Sequence, residues 1–575
     1  MNFIQGIKDY FKNKRLKKLE KDILALRDKL QFDQRFMPSE LKLNTVEAFT
    51  RRITEYRVWS MGNGEILRRF YAQANADSKY SNTRNYFWHK APPTTRMIHC
   101  GVPGLISTRM ADILFKNGIK PHVTVYKDGE GESLSEDKAA GKKANELMSE
   151  LMKIIGLQST LQTAATNESW GGHCFFKLSH DISVSRFPIV ETYDITQAEV
   201  VKERGITKAI VFKRWYQHNH RSYRLDEIYS TNEDGDACIT YRLFGWFGDK
   251  EKEVDLLSIS QTAELFNVNG QGAQNGLKLD ENNTFVYKGL QGMLAFEKPN
   301  KTPSLEFPES NYGASDYEGA VDSFDALDEV ASGNVGEIRT NKTRRYIPET
   351  MIPRDPDSGD MLPFDEFADC YVRVNGDPDQ DAKNEIKVTQ VGDKTASFME
   401  KWKANLSNVC NKAKISPFAL GITWLEAVNP SAESQRERNK TTLDMRDGKL
   451  KLWKPMLEEM LLRILQLNAW IRGNTRKNTQ VQQEAFADID FTWENTTVQV
   501  DFGEYLEESV SEKLTVWGGA KSQHVASTEE CVKQLHPDWT AKQVQDEVNL
   551  IRFEEGMSTD NPLTLPTLTG EDDEE

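Results

Sequence analysis

"NPSAESQRERNKTTLDMRDGKLKLWKPMLEEMLLRILQLNAW", from Asn429 to Trp470, opens on charged and small polar residues and closes almost wholly apolar. Ser431 is suited to cap a helix there. Met456, Leu457, Met460, Leu461, Ile464 and Leu465 recur at three- and four-residue spacing and predict a buried helical end. Between the two halves stands Pro455. It has no N–H, so the carbonyl of Lys451 loses its helical partner and a kink is expected. The stretch therefore predicts one long helix that passes from an exposed or channel-facing zone into a core.

Upstream lies a second informative region. In SDYEGAVDSFDALDEVASGNVGEIRTNKTRR, Tyr317, Val321, Phe324, Leu327, Ala331 and Ile338 form an apolar stripe. Ser315 or Asp316 can cap its start, and Arg339, Lys342, Arg344 and Arg345 crowd its end, an order that suits the helix dipole. Gly333 and Gly336 weaken its centre. Residues 346–392 hold Pro348, Pro353, Pro356, Pro363 and Pro378, so no long helix survives there, and FADCYVRV and NEIKVTQV read as two strands. A helix follows at DKTASFMEKWKANLSNVCNKA, with Phe398, Trp402, Leu406 and Val409 on one face. Two helices thus flank a small β module, one leading out and one leading back. Residues 414–431 form a loop with unusual apolar content.

The earlier chain has two textures. Residues 1–36 predict an amphipathic helix with Leu16, Leu19, Ile23, Leu26 and Leu30 on one face. Residues 40–170 read mainly helical, with Pro103 opening one helix, Gly118 closing it, and Gly156 closing another. From about 172 to 300 the runs are short, β-branched and aromatic, separated by turn clusters, which predicts antiparallel sheet. NVNGQGAQNG misses the GxGxxG spacing and reads as a loop. Later, FADIDFTWEN reads as a strand. Two short helices start on capping boxes, Ser527 with Glu530 and Thr540 with Gln543. The acidic tail is expected to be disordered.

At 575 residues the chain is too long for one core. A net charge of −15 excludes a generally basic nucleic-acid binder and leaves only local basic patches for DNA. The six cysteines form no CxxC pair, which argues for reduced thiols rather than a zinc or redox site. No signal-peptide h-region and no apolar run of membrane-spanning length are present, so no membrane partner is expected. VGDKT (391–395) lacks the leading glycine of a phosphate-binding loop; Lys387 stands there, and a helix cap is favoured. Asp355, Asp357 and Glu366 approach calcium-loop positions, but Asp360 occupies the glycine position and a polar turn is favoured. His218 and His220 have no partner cluster and read as a solvated edge. No catalytic group, metal site or cofactor site is expected.

The order of these parts resembles that of tailed-bacteriophage portal proteins. The likeness rests on the outward helix 315–343, the β module 346–392, the returning helix 393–413, the loop 414–431 and the kinked helix 432–472. QGMLAFEKPNKTPSLEFPESNYGASDYEGAVDSFDALDEV is similar to the family's passage from wing strands into the stem, and VWGGAKSQHVASTEECVKQLHPDWTAKQVQDEVNLIRFEEG to its ending. The resemblance implies an elongated, multi-domain, ring-forming α+β fold, usually dodecameric. Its parts would be an N-terminal arm (1–39), a wing (40–314), a stem helix (315–345), a clip (346–392) and a second stem helix (393–413). After them come a tunnel loop (414–431), a kinked helix and strand returning to the wing (432–504), a crown (505–560) and an acidic tail (561–575).

The implied function is non-enzymatic: a channel at one capsid vertex for packaging and ejecting double-stranded DNA. The implied partners are large terminase, major capsid protein and scaffold, and a head-completion or tail adaptor protein. The implied location is the virion, with assembly in the host cytoplasm. Lys394, Lys401, Lys403, Lys412 and Lys414 are candidates for transient phosphate contact; alternatively some face neighbouring subunits and pair with Asp322, Asp325 or Asp328. Pro417, Phe418, Leu420, Ile422, Trp424 and Leu425 either narrow the channel or pack between subunits. Another ring-forming connector is the nearest rival. A metal-dependent nuclease using Asp355 and Asp357 is a further one.

Overall fold

The amino-terminal part of the fold is helical. The computed structural model describes residues 45–555, apart from 77–85, 91–95, 129–133, 182–183, 248–249, 267–278, 309, 341–343, 349–370, 375–386, 390–394, 423–431, 476–494, 504–509, 537–538 and 540. The expected N-terminal helix, the NVNGQGAQNG loop, the calcium-like turn, the FADIDFT strand, Thr540 and the acidic tail lie outside the described residues. Contacts divide the chain into two units, Met1–Thr423 with Asn439–Gly503 and Trp424–Arg438 with Glu504–Glu575.

The first unit begins with α1 (Thr45–Ser60), α2 (Gly64–Ala76), α3 (Phe87–Lys90) and α4 (Val102–Phe115). Pro103 lies in the first turn of α4, and Gly118, at φ 68°, turns the chain out of it. The region 40–170 is mainly helical, with β1 (Ile119–Asp128) and β2 (Leu134–Glu136) intervening. β1 exists because it pairs antiparallel with β15 (Thr496–Phe502), placing Val123 opposite Val498. That partner is far away in sequence, and no local signal announces it. α5 (Lys138–Ile155) starts where Asp137 accepts from the N–H groups of Ala139 and Ala140, and ends at Gly156 with φ 67°. α6 (Leu157–Gly171) follows.

The β region is antiparallel, as expected. β3 (His173–Ser179), β4 (Ile189–Asp194), β5 (Ala198–Glu203), β6 (Ile206–His218), β7 (Arg221–Thr231), β8 (Asp236–Phe247) and β9 (Lys250–Val254) precede one short helix, α7 (Ser260–Phe266). β10 (Thr284–Gln291) and β11 (Ala295–Pro299) follow it. They form a sheet ordered β10-β8-β7-β6-β5 with β9 on β8, and a sheet ordered β11-β3-β4. His218 and His220 sit at the β6–β7 turn, where Asn219 and His220 have φ 49° and 59°. Among the described residues no group of His, Cys, Asp or Glu could hold a metal ion. Charged β9, KEKEV, blunts strand addition at its edge.

α8 (Val321–Thr340), β12 (Arg344–Pro348), β13 (Tyr371–Val374), β14 (Lys387–Thr389) and α9 (Thr395–Ala413) make up the hairpin region. α8 starts later than predicted. Ser315 and Asp316 do not cap it: the Ser315 hydroxyl donates to the carbonyl oxygens of Ser169 and Trp170, and Asp316 is buried in an ion-pair cluster. Arg344 and Arg345 stand in β12 rather than in the last helical turn.

α10 (Ala432–Thr475) is one continuous helix through Pro455. Leu457, Met460, Leu461, Ile464 and Leu465 are each at most 1% exposed. At about 2 kcal/mol per buried side chain they outweigh the roughly 3 kcal/mol cost of an interior proline. Lys451, Lys454 and Pro455 are exposed, so the carbonyl that loses its partner lies on the solvent side. The polar front half is not wet all round, contrary to expectation. Thr442, Arg446 and Lys449 are buried and each is satisfied: the Thr442 hydroxyl accepts from Ser416 N–H, Arg446 donates to the carbonyls of Ile113 and Gly503, and Lys449 binds Asp316.

The second unit holds α11 (Val510–Ser522), α12 (Thr528–Leu535) and α13 (Ala541–Glu554). Ser527 caps α12 by accepting from Glu530 N–H at 3.1 Å, the predicted capping-box contact. Val532, Val544 and Val548 form its core.

Candidate functional site: the helical hairpin and its root

α8 and α9 pack against each other in antiparallel register. The Lys412 ammonium reaches Ser323 Oγ at 3.0 Å, and Phe398 lies over Gly333. A Cβ on Gly333 would come within 3.3 Å of the Phe398 ring, whereas one on Gly336 would meet nothing within 4 Å. The first glycine therefore sets the helix spacing and the second does not. Val321, Phe324 and Leu327 of α8 and Leu406, Val409 and Cys410 of α9 are buried. Beyond the helices, β12 lies between β13, which runs parallel to it, and β14, which runs antiparallel. Three strands thus stand where two were predicted, because the basic segment at 344–348 extends instead of ending the helix.

The hairpin is rooted in a buried polar cluster that no motif revealed. Asp316 precedes α8 and binds Lys301 and Lys449, each at 2.6 Å. Ser169 donates to the same carboxylate at 2.7 Å, and the Asn300 amide donates to it at 3.1 Å. Burial would push the Asp316 carboxyl up; the two lysines outweigh burial and hold it well below the usual carboxylate range. Beside it, Lys298 and Glu168 form a 2.6 Å ion pair in which both side chains are 0% exposed. The Lys298 ammonium also lies 4.8 Å from the centre of the Trp453 ring. Burial pushes Glu168 up and Lys298 down, each toward its neutral form, so the contact must offset a large desolvation cost. Gly172 and Gly313 meet backbone to backbone there: a Cβ on either would fall 2.5 Å from the other's carbonyl oxygen. The cluster joins α6, β11, the segment before α8 and α10 at one point.

The other side of the α8 root carries three carboxylates. Asp322 accepts from the Tyr86 hydroxyl. Asp325 accepts from the N–H groups of Phe87 (2.8 Å) and Trp88 (3.3 Å). Asp328 accepts from the Trp88 indole (2.9 Å) and Cys100 N–H (2.9 Å) and contacts His99 Nδ1 (2.7 Å). All three are thus engaged by residues 86–100 of their own chain. Within the single chain, none of the three pairs with a described lysine.

Of the candidate lysines, Lys401, Lys412 and Lys414 are exposed and Lys403 is half-buried. Lys401 and Lys412 lie about three turns apart on one side of α9. Lys394 lies outside the described residues. In the loop, Pro417, Phe418 and Ile422 are half-buried, while Leu420 is 5% exposed and packs inward. The loop folds into tight turns through Leu420 N–H to Pro417 O and Gly421 N–H to Phe418 O, and Arg109 binds Ala419 O at 2.7 Å. Trp424 and Leu425 lie outside the described residues.

No family model and no curated protein matches the chain. Among solved structures, the chain is similar to the neck of an empty GTA particle computed with C6 symmetry. The identity is 11% and the TM-score 0.34, over 75% of this chain and 89% of that one. It is also similar to the neck of a native GTA particle computed with C12 symmetry, at 11% identity and a TM-score of 0.29, over 69% of this chain and 90% of that one.

Proposed function

We propose that this chain is a portal-type protein: copies close into a ring at one capsid vertex, and double-stranded DNA passes along its axis during packaging and ejection. The observation that carries the reading is the antiparallel pair α8 and α9, which brackets a small β module and is anchored at one end by a buried ion-pair cluster. Much of α9 is exposed in the single chain, and neighbours closing into a cycle can cover it. In this reading α8 and α9 are the stem, residues 346–392 the clip, 414–431 the tunnel loop and 505–560 the crown. The clip receives the packaging motor and later the adaptor protein, and the wing meets capsid and scaffold protein.

The charge supports the same reading. A conduit must touch DNA without gripping it, and each neutralised phosphate adds salt-dependent affinity. A chain of net charge −15 with a few exposed lysines on one stem helix meets that need. Electron microscopy of the purified protein tests the proposal. Top views with a closed ring and an axial hole are expected; compact particles without a hole overturn it.

A further inference from the structure

Strand β6 outruns its neighbour β5. The pairing of β5 begins at Ala198, opposite Phe212, and Lys213 N–H still donates to Gln197 O at 2.8 Å. From Arg214 to His218, β7 is the only strand beside β6 among the described residues. Backbone groups along a strand point alternately to its two sides. Lys213 points to the β5 side, so the N–H and C=O of Trp215 and Gln217 do too. Gln261 Nε2 reaches Gln217 O at 3.4 Å. A cavity of about 460 Å³ opens at this edge. Arg57 of α1, Lys213 and Arg214 line it together with Tyr193, Gln197 and Trp215, and no acidic residue does. Trp215 is 57% exposed, although its ring lies 5.1 Å from that of Trp246.

The carboxylates that meet these cations are not part of the lining. Lys213 is bound by Glu199, which is 43% exposed and can swing into water. Arg214 lies 3.6 Å from Glu227 and Arg57 3.9 Å from Asp194, both longer than the roughly 2.7–2.9 Å of a charge-assisted hydrogen bond. Arg57 donates to Thr196 Oγ1 at 3.1 Å, and Arg214 reaches the Tyr193 hydroxyl. A guanidinium carries several N–H donors, so both arginines keep some for a ligand. We propose that this edge docks an extended, acidic segment of a partner protein, whose backbone pairs with Trp215 and Gln217 while one carboxylate enters the cavity and meets Arg57 and Arg214. The exposed groups choose the partner. A strand edge presents both N–H and C=O groups, and a peptide backbone answers both, whereas phosphates only accept. Lys213 and Arg214 repel the same edge of a second copy and admit an acidic strand. The site is complete in a single chain and does not depend on ring formation.

A short synthetic peptide alternating Val and Glu, titrated into the full chain and followed by calorimetry, tests the site. Binding is expected, and it should weaken with salt. It should be at least about tenfold weaker for the same peptide with Gln in place of Glu, and for Arg57→Gln or Arg214→Gln. Hydrogen exchange on the unmutated chain should show the Trp215 and Gln217 amides slowed by the Glu peptide, which decides the matter even if either variant fails to fold. Four results overturn the docking site: no binding, equal binding of the Gln peptide, unchanged exchange at Trp215, or displacement of the Glu peptide by inorganic phosphate or duplex DNA at equal concentration.

Discussion

Lys298 is wholly enclosed: no part of its side chain reaches water, and its partner Glu168 is equally enclosed. A buried pair is costly to break and cheap to replace as a pair. Glu168→Gln should therefore destabilise the protein by about 3–5 kcal/mol, while Glu168→Leu with Lys298→Met should lose much less; urea unfolding followed by tryptophan fluorescence compares them. Asp316 gives a pH test. Its folded carboxyl is held below its unfolded value, so its contribution is complete above the ordinary aspartate range and is lost as pH falls through and below it. Between pH 6 and 3 the natural chain should lose more stability than Asp316→Asn, which starts lower and changes less. Equal losses in the two would show that the cluster is not a charged lock.

The paired helices α8 and α9 make a prediction that separates two neighbouring glycines. Gly336→Ala enters open space and should stabilise α8 by about 0.5–1 kcal/mol through helix propensity alone. Gly333→Val must displace Phe398 and should destabilise the pair by about 1–3 kcal/mol. Thermal melts followed by circular dichroism report both, and the opposite signs are the check. The same helices show what the pattern of residues reveals about an element. The buried face, from Val321 to Leu327, was legible in its three- and four-residue spacing. The start at Val321 was not, because Ser315 and Asp316 look like caps and are taken instead by Ser169, Trp170, Lys301 and Lys449. Those partners come from other elements, and local spacing carries no trace of them.

The proposed ring makes a prediction at the scale of the whole molecule: its binding to duplex should be weak and steeply salt-dependent. Changing Lys401, Lys412 and Lys414 together to Gln should lower the slope of log affinity against log salt by about 0.9 for each phosphate these side chains neutralise. Filter binding to duplex measures the slope, and ring formation observed by electron microscopy should be unaffected. An unchanged slope would place these lysines away from the duplex.

Turns, caps and helical faces could be read directly from the residues. Ser527 caps α12, Gly118 and Gly156 close their helices, and strands β3 to β11 fall within 172–300, because caps, turns and strand alternation are decided within a few residues of chain. The pairing of β1 with β15 and the burial of Lys449 were decided only when distant segments met. Glu168 and Lys298 stand 130 positions apart, and Asp316 and Lys449 133. A charged side chain looks like surface until its counter-charge arrives, and only the folded chain brings the two together out of water.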